Sequence, residues 1–190
     1  QLAYGYWKLA ELYAQTAQED RSNRNAAGQA SKAARACSEH ARAAVEDAPQ
    51  LAEAYAIRAA CEDMPQGFLR LGGLRPGSCA RSRELKHALS QAPQNPRVLF
   101  VEALCTGEQN AAAELAHWQK VAEAFAEAAP TRPGMPDWGH AEALTLLAEH
   151  HLQRGNFVAA RDAVERALVI APDYHAAQML LETIASQRRK

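Results

Sequence analysis

Cysteine and histidine are the side chains in this sequence whose chemistry depends most on spacing. The four cysteines, Cys37, Cys61, Cys79 and Cys105, all fall in the first 105 of 190 residues. No C-x-x-C occurs, so neither thiol redox chemistry nor a ribbon-type zinc site is supported. The seven histidines are scattered: His40, His87, His117, His140, His150, His151 and His175. Only His150 and His151 adjoin, and neighbours on a helix point about 100° apart, not at one ion. H-E-x-x-H is absent, as are G-x-S-x-G, the P-loop and the dinucleotide fingerprint. The stretch from Leu71 to Gly77 is glycine-rich, but no strand precedes it and Pro76 breaks a helix start. It reads as a shaped loop rather than a phosphate cradle. The carboxylates Glu53 and Glu62 lie on helical patterns with nothing to tune their pKa. No enzyme, no metal site and no cofactor is expected.

The elements that would carry these residues are helices. Hydrophobic residues make up 48% of the chain but aromatics only 6%, so Ala and Leu supply most of the apolar surface. Ala has the best helix propensity and allows helices to approach closely. Sparse β-branched residues argue against a sheet. The net charge is −1, from 21 basic and 22 acidic residues. No basic stripe stands out, so nucleic acid is not an expected partner. The runs from Arg81 to Lys86 and from Arg188 to Lys190 read as solvated helix surface and a frayed terminus. No apolar run approaches the roughly 20 residues of a membrane span. The chain begins at Gln1 rather than Met, which suggests that an upstream segment was removed.

Helical periodicity is clearest between Asp137 and Pro172. Leu144, Leu147, Ala148, His151, Gly155, Phe157, Ala160, Val164, Ala167 and Pro172 fall at tetratricopeptide spacing, which implies two antiparallel helices per repeat. Gly155 suits the tight turn and Asn156 a cap for the second helix. Ala148 and Ala160 should meet where the helices cross, and His151 occupies an aromatic packing position. Earlier copies emerge once insertions are allowed. Tyr6, Leu9, Ala10 and Tyr13 pair with Cys37, Ala41, Ala44 and Pro49 across a long polar stretch, Gln18 to Ser31. Tyr55 and Ala59 open a second unit closing at Ala88 and Pro93, its turn enlarged by Met64 to Gly67 and Gly72 to Gly77. Leu99 and Ala103 open a third, closing near Phe125 and Pro130.

Asp47-Ala48-Pro49, Gln91-Ala92-Pro93 and Ile170-Ala171-Pro172 mark the joints, since proline cannot continue a helix. The expected architecture is an all-α, right-handed α-solenoid of about four tetratricopeptide-like helix pairs plus a C-terminal capping helix. It forms one domain over 1–190, with units at about 1–49, 50–93, 94–136 and 137–172 and a cap at 173–190.

Three further segments carry a resemblance to a functionally unassigned bacterial family of tetratricopeptide proteins with irregular repeats. They are Gly72-Gly73-Leu74-Arg75-Pro76-Gly77, the run from Ala92 to Leu99, and the run from Asp137 to Ala143. Members of that family look exported, so the resemblance implies a periplasmic or otherwise exported protein, with a cytoplasmic one as the alternative. The four cysteines and a shortened third turn depart from the family pattern.

In such a stack a second helix packs against the first helix of the next unit. Cys37–Cys61 and Cys79–Cys105 are then geometrically allowed disulfides, each stapling adjacent units. Four buried thiols acting as small apolar side chains are the alternative.

First helices of a tetratricopeptide stack line its concave face. Residues left over from packing project from them: Tyr4, Trp7 and Glu11; Glu53, Ala56 and Ala60; Arg97, Phe100 and Leu104; Glu142, Thr145 and Glu149. Aromatics and Arg are frequent interface hot spots, although Trp7 and Phe100 also suit the inter-helix core. An aromatic and Arg97 centre with acidic rims fits an extended peptide or a partner helix. With Arg97 alone among the basic residues that grip chaperone tails, a co-chaperone is disfavoured. Trp118 and Trp138 read as core. The expected function is therefore a protein-interaction scaffold. Self-association through the end helices is one alternative, and metal binding or catalysis by His140, His150 or His151 another.

Overall fold

The computed structural model describes residues 1–20, 23–71, 79–106, 111–129 and 138–187, with backbone only at 63–71 and at 111. Among them are nine α-helices and no strand: α1 (Leu2–Glu19), α2 (Arg24–Asp47), α3 (Ala52–Leu71), α4 (Arg83–Gln91), α5 (Pro96–Thr106), α6 (Ala111–Glu127), α7 (His140–Gln153), α8 (Phe157–Ile170) and α9 (His175–Gln187). A single 3-10 turn, Cys79–Arg81, precedes α4.

Side-chain caps fix several helix starts by satisfying amide donors that have no partner within the helix. Asn23 Oδ1 accepts from the Ala26 amide at 3.0 Å, and Ser82 Oγ from the Leu85 amide at 3.1 Å. Asn95 Oδ1 accepts from the Arg97 amide at 3.0 Å, with Pro96 in the first helical position, where its missing N–H costs nothing.

The three proline joints share one conformation. Ala48, Ala92 and Ala171 have φ/ψ of −138°/69°, −145°/71° and −135°/86°. Each donates its amide to the carbonyl four residues back, at Ala44, Ala88 and Ala167. Each then accepts from the amide three residues ahead, at Leu51, Asn95 and Tyr174. This common geometry puts the helices after each joint in register with one another.

Contacts divide the chain into two compact units, 1–107 and 108–190. In the first, α1 packs on α2, α2 on α3 and α3 on α4, while α3 also contacts α1 and α5. In the second, α6 packs on α7, α7 on α8 and α8 on α9, and α9 returns to α7. Of the expected third pair, α5 thus belongs to the first unit and α6 to the second.

Alanine builds the tightest contacts. Ala10, Ala41, Ala56, Ala60, Ala88, Ala143, Ala148, Ala160, Ala167 and Ala177 have no exposed surface. Ala148 and Ala160 sit on the packed helices α7 and α8, where close approach needs small side chains. Gly155 adopts φ 74° in the α7–α8 turn, a conformation that glycine takes without strain.

Several local expectations are corrected. The polar stretch from Gln18 to Ser31 is not a long turn, because α2 starts at Arg24 and buries Ala26, Ala30, Ala33 and Ala34 along one face. Residues 64–67 belong to α3, which continues to Leu71 despite Pro65 and Gly67. Asn156 stands at the N-cap of α8, but its side chain makes no capping hydrogen bond; its backbone carbonyl accepts from the Ala160 amide instead. The Gly72–Gly77 loop, the Pro130–Pro136 loop, Asp137 and Arg188 to Lys190 lie outside the described residues.

Candidate protein-binding surface

In the first unit, α3 lies between α1 and α5. Trp7 of α1 and Phe100 of α5 nevertheless meet, with ring centroids 6.5 Å apart, and both are buried at 1% and 3% exposure. Ala56 and Ala60 of α3 are fully buried as well. Trp7, Phe100, Ala56 and Ala60 are therefore core rather than an open groove wall. The corresponding expectation is corrected: the largest apolar side chains on this face are satisfied by one another.

What stays accessible is a half-buried rim. Tyr4 packs edge-on against Trp7 at 5.9 Å. Trp7 Nε1 donates to Glu11 Oε1 at 2.7 Å, and Lys8 Nζ donates to the other oxygen, Oε2, at 2.5 Å. Glu53 Oε1 accepts from Asn95 Nδ2 at 2.7 Å, tying α3 to the residue that caps α5. Arg97 and Leu104 are half-buried on α5. Asn95 links Glu53 to the Arg97 backbone, a role the sequence reading did not assign. An Asn directly before a helix-initiating Pro was the available signal.

The second unit holds the other three expected groove residues, and two are structural. Thr145 is 3% exposed and donates its hydroxyl to the Ala141 carbonyl at 2.8 Å. Glu142 Oε2 accepts from the Gly139 amide at 3.1 Å, a capping contact at the start of α7. Burial pushes the Glu142 carboxyl up, against the opposing pull of backbone hydrogen bonds. Glu149 is half-buried, and burial raises its carboxyl too.

The histidines are largely taken up in ring packing. His40 stacks on Tyr6 at 5.1 Å, His87 meets Tyr55 at 4.3 Å, His140 stacks on Phe125 at 4.9 Å and His150 on Trp118 at 6.4 Å. His150 Nε2 also lies 3.7 Å from Glu114. Burial lowers the His151 pKa, helped by the charges of Arg154 and His150. Among the described residues no three His, Cys, Asp or Glu side chains group as metal ligands would. Trp118 and Trp138 are buried.

Both disulfides are on second-helix to first-helix contacts or their equivalent. Cys37 of α2 is bonded to Cys61 of α3, with Cα atoms 5.5 Å apart. Cys79 of the 3-10 turn is bonded to Cys105 of α5, at 5.0 Å. Around the first, Ser38 Oγ donates to the Cys61 carbonyl at 3.0 Å. Arg58 binds Glu62 at 2.8 Å and lies 3.7 Å from Glu84 of α4, and the Glu62 hydrogen bond raises the Arg58 pKa.

The chain is similar in structure to a thermophilic tetratricopeptide protein of Thermus thermophilus, with a TM-score of 0.52 and 14% sequence identity over 95% of this chain and 90% of that one. The fold is tetratricopeptide-like. No protein-family model and no curated protein matches the sequence. At this identity the likeness concerns the solenoid-like, all-α architecture. Among the described residues, no helix is long and apolar enough to cross a membrane.

Proposed function

We propose that this protein is an exported interaction scaffold that holds a peptide or partner helix against the first-helix face of its N-terminal unit. The observation that carries this reading is the half-buried polar rim on the first helices: Tyr4 and Glu11 beside Trp7 on α1, Glu53 of α3 bonded to Asn95, and Arg97 on α5. Tyr4 and Arg97 are half-buried at this rim, and Arg and Tyr are residue types on which binding energy concentrates. The tetratricopeptide-like fold supports protein partners in general. Two disulfides favour an oxidising compartment. The four groups are mixed in charge, so the partner segment would present basic groups to Glu11 and Glu53 and an acceptor to Arg97.

Affinity capture from the envelope fraction, compared between the native chain and a Tyr4→Ala/Arg97→Ala variant, tests the reading. A partner retained by the native chain and lost by the variant is expected. Equal capture by both removes this face from the function. Self-association is a second reading, favoured by Leu2, Leu9 and Leu12, which are 67%, 37% and 58% exposed along α1. Sedimentation that remains monomeric at high concentration removes it.

A further inference from the structure

The α6–α7 contact combines an apolar seam with a titratable ring at each end. α6 buries Trp118, Val121, Ala122 and Phe125 at the spacing of one helical stripe, and its main packing partner among the described helices is α7. Trp118 pairs with His150 and Phe125 with His140, so the order reverses and the two helices are antiparallel. Both ring pairs are nearly parallel, with interplanar angles of 16° and 6°. A neutral imidazole packs on such a face as a small ring, whereas an imidazolium is also attracted by the negative face.

The two ends differ in what a proton meets. His140 is the first residue of α7, where the helix dipole opposes positive charge. His150 stands in the last turn of α7, where the dipole favours it. Glu114 stands in the first turn of α6, which favours an anion, and antiparallel packing brings that turn beside the end of α7. Its Oε1 lies 3.7 Å from His150 Nε2, with the His150 side chain 13% exposed and that of Glu114 35%. At this distance a neutral imidazole makes no hydrogen bond to the carboxylate, so the attraction begins when His150 carries charge. Among the described residues no other carboxylate lies within ion-pair distance of His150. Against the charged form stand partial burial and the neighbouring His151, since the charges of the two histidines disfavour each other. Ring face, carboxylate and dipole all favour it, and they coincide only at this end of the seam.

We propose that Glu114, Trp118 and His150 form an acid-engaged latch. On taking up a proton His150 ties the first turn of α6 to the last turn of α7, and on losing it the tie is released. The latch acts on α6, because α7 is also held by α8 and α9. Opening of α6 therefore becomes harder below the ordinary histidine range and easier above it. The scaffold reading above uses the first unit alone, so the two ideas stand or fall separately.

Hydrogen exchange of the α6 amides, corrected for the intrinsic effect of pH, is measured at about pH 5.5 and about pH 8, on either side of the ordinary histidine value. The chains compared are the native protein, His150→Gln, Glu114→Gln and the double variant, each checked for helix content by circular dichroism. Coupling between positions 114 and 150 in α6 protection is expected at the lower pH, about twofold or more, the scale of a partly exposed ion pair. None is expected at the higher pH. His151 titrates in the opposite sense on the same helix, so the coupling is read and not the native pH profile alone. Purely structural roles for the two side chains give equal coupling at both pH values. That result overturns the proposal, and so does coupling at neither. Should His150→Gln not fold, Glu114→Gln decides: its deficit in α6 protection grows from about pH 8 to about pH 5.5 if the latch exists, and a constant deficit contradicts it.

Discussion

The α2–α3 and α8–α9 contacts are built on one backbone plan and finished differently. In the first, Cys37 and Cys61 are covalently joined, Ser38 is hydrogen-bonded across the contact, and α4 packs on α3. In the second, the corresponding positions are Ala160 and Ile184, both buried, and an open cavity lies between α8 and α9. Register alone therefore does not decide what a repeat exposes. The side chains added to it do. A crosslink ties the first contact, while the second has none and carries Val158 exposed beside it.

The strongest way to break this comparison is to empty the closed unit. Trp7→Ala removes an indole at 1% exposure, so a loss of about 3–5 kcal/mol is expected in chemical denaturation, within the range for large-to-small core changes. A loss below about 1 kcal/mol would mean that Trp7 does not hold the first-helix face together. Next, Cys37→Ala with Cys61→Ala should destabilise the first unit by about 3 kcal/mol, the usual scale for a loop of this length. Hydrogen exchange should show the loss in α2 and α3 and leave α8 unchanged. Ala160→Leu should cost about 1–3 kcal/mol in the second unit, because a fully buried alanine at a helix crossing has no space for the added atoms.

Acidity gives the smallest effect and sharpens the contrast. The His151 pKa is lowered in the fold, so its contribution is complete above the ordinary histidine range and is lost as pH falls through the folded pKa. Glu149 works in the opposite sense: its raised pKa makes the buried carboxylate costly at neutral pH, and protonation relieves that cost as pH falls. Glu149→Gln should therefore raise the melting temperature of the second unit slightly at pH 7, and no longer do so once Glu149 is protonated in the native protein. Destabilisation at pH 7 would show that the carboxylate has a compensating partner.

The helix content and the joints were legible in the sequence, because Pro49, Pro93 and Pro172 each follow an Ala that ends a helix in one conformation. The cysteine spacing was legible for the same reason: repeat register brings Cys37 against Cys61 and Cys79 near Cys105. Boundaries were less so. Gln18 to Ser31 looked like a turn because its composition is polar, yet alanines at 26, 30, 33 and 34 make one buried stripe, which decides in favour of helix. The surface was least legible. Trp7, Phe100 and Thr145 occupy positions that face a groove in the repeat frame, but the helical frame carries no information on whether a neighbouring side chain reaches over them. Here Trp7 and Phe100 cover each other, and Thr145 turns back to its own helix.

The claim that α8–α9 repeats the register of α2–α3 without its staple can be tested by moving the staple. Ala160→Cys with Ile184→Cys places thiols at the positions equivalent to Cys37 and Cys61. If the register is shared, non-reducing mass spectrometry of the oxidised protein will find Cys37–Cys61, Cys79–Cys105 and a new 160–184 crosslink. Thiols at 160 and 184 that stay free, or pair elsewhere, would contradict it.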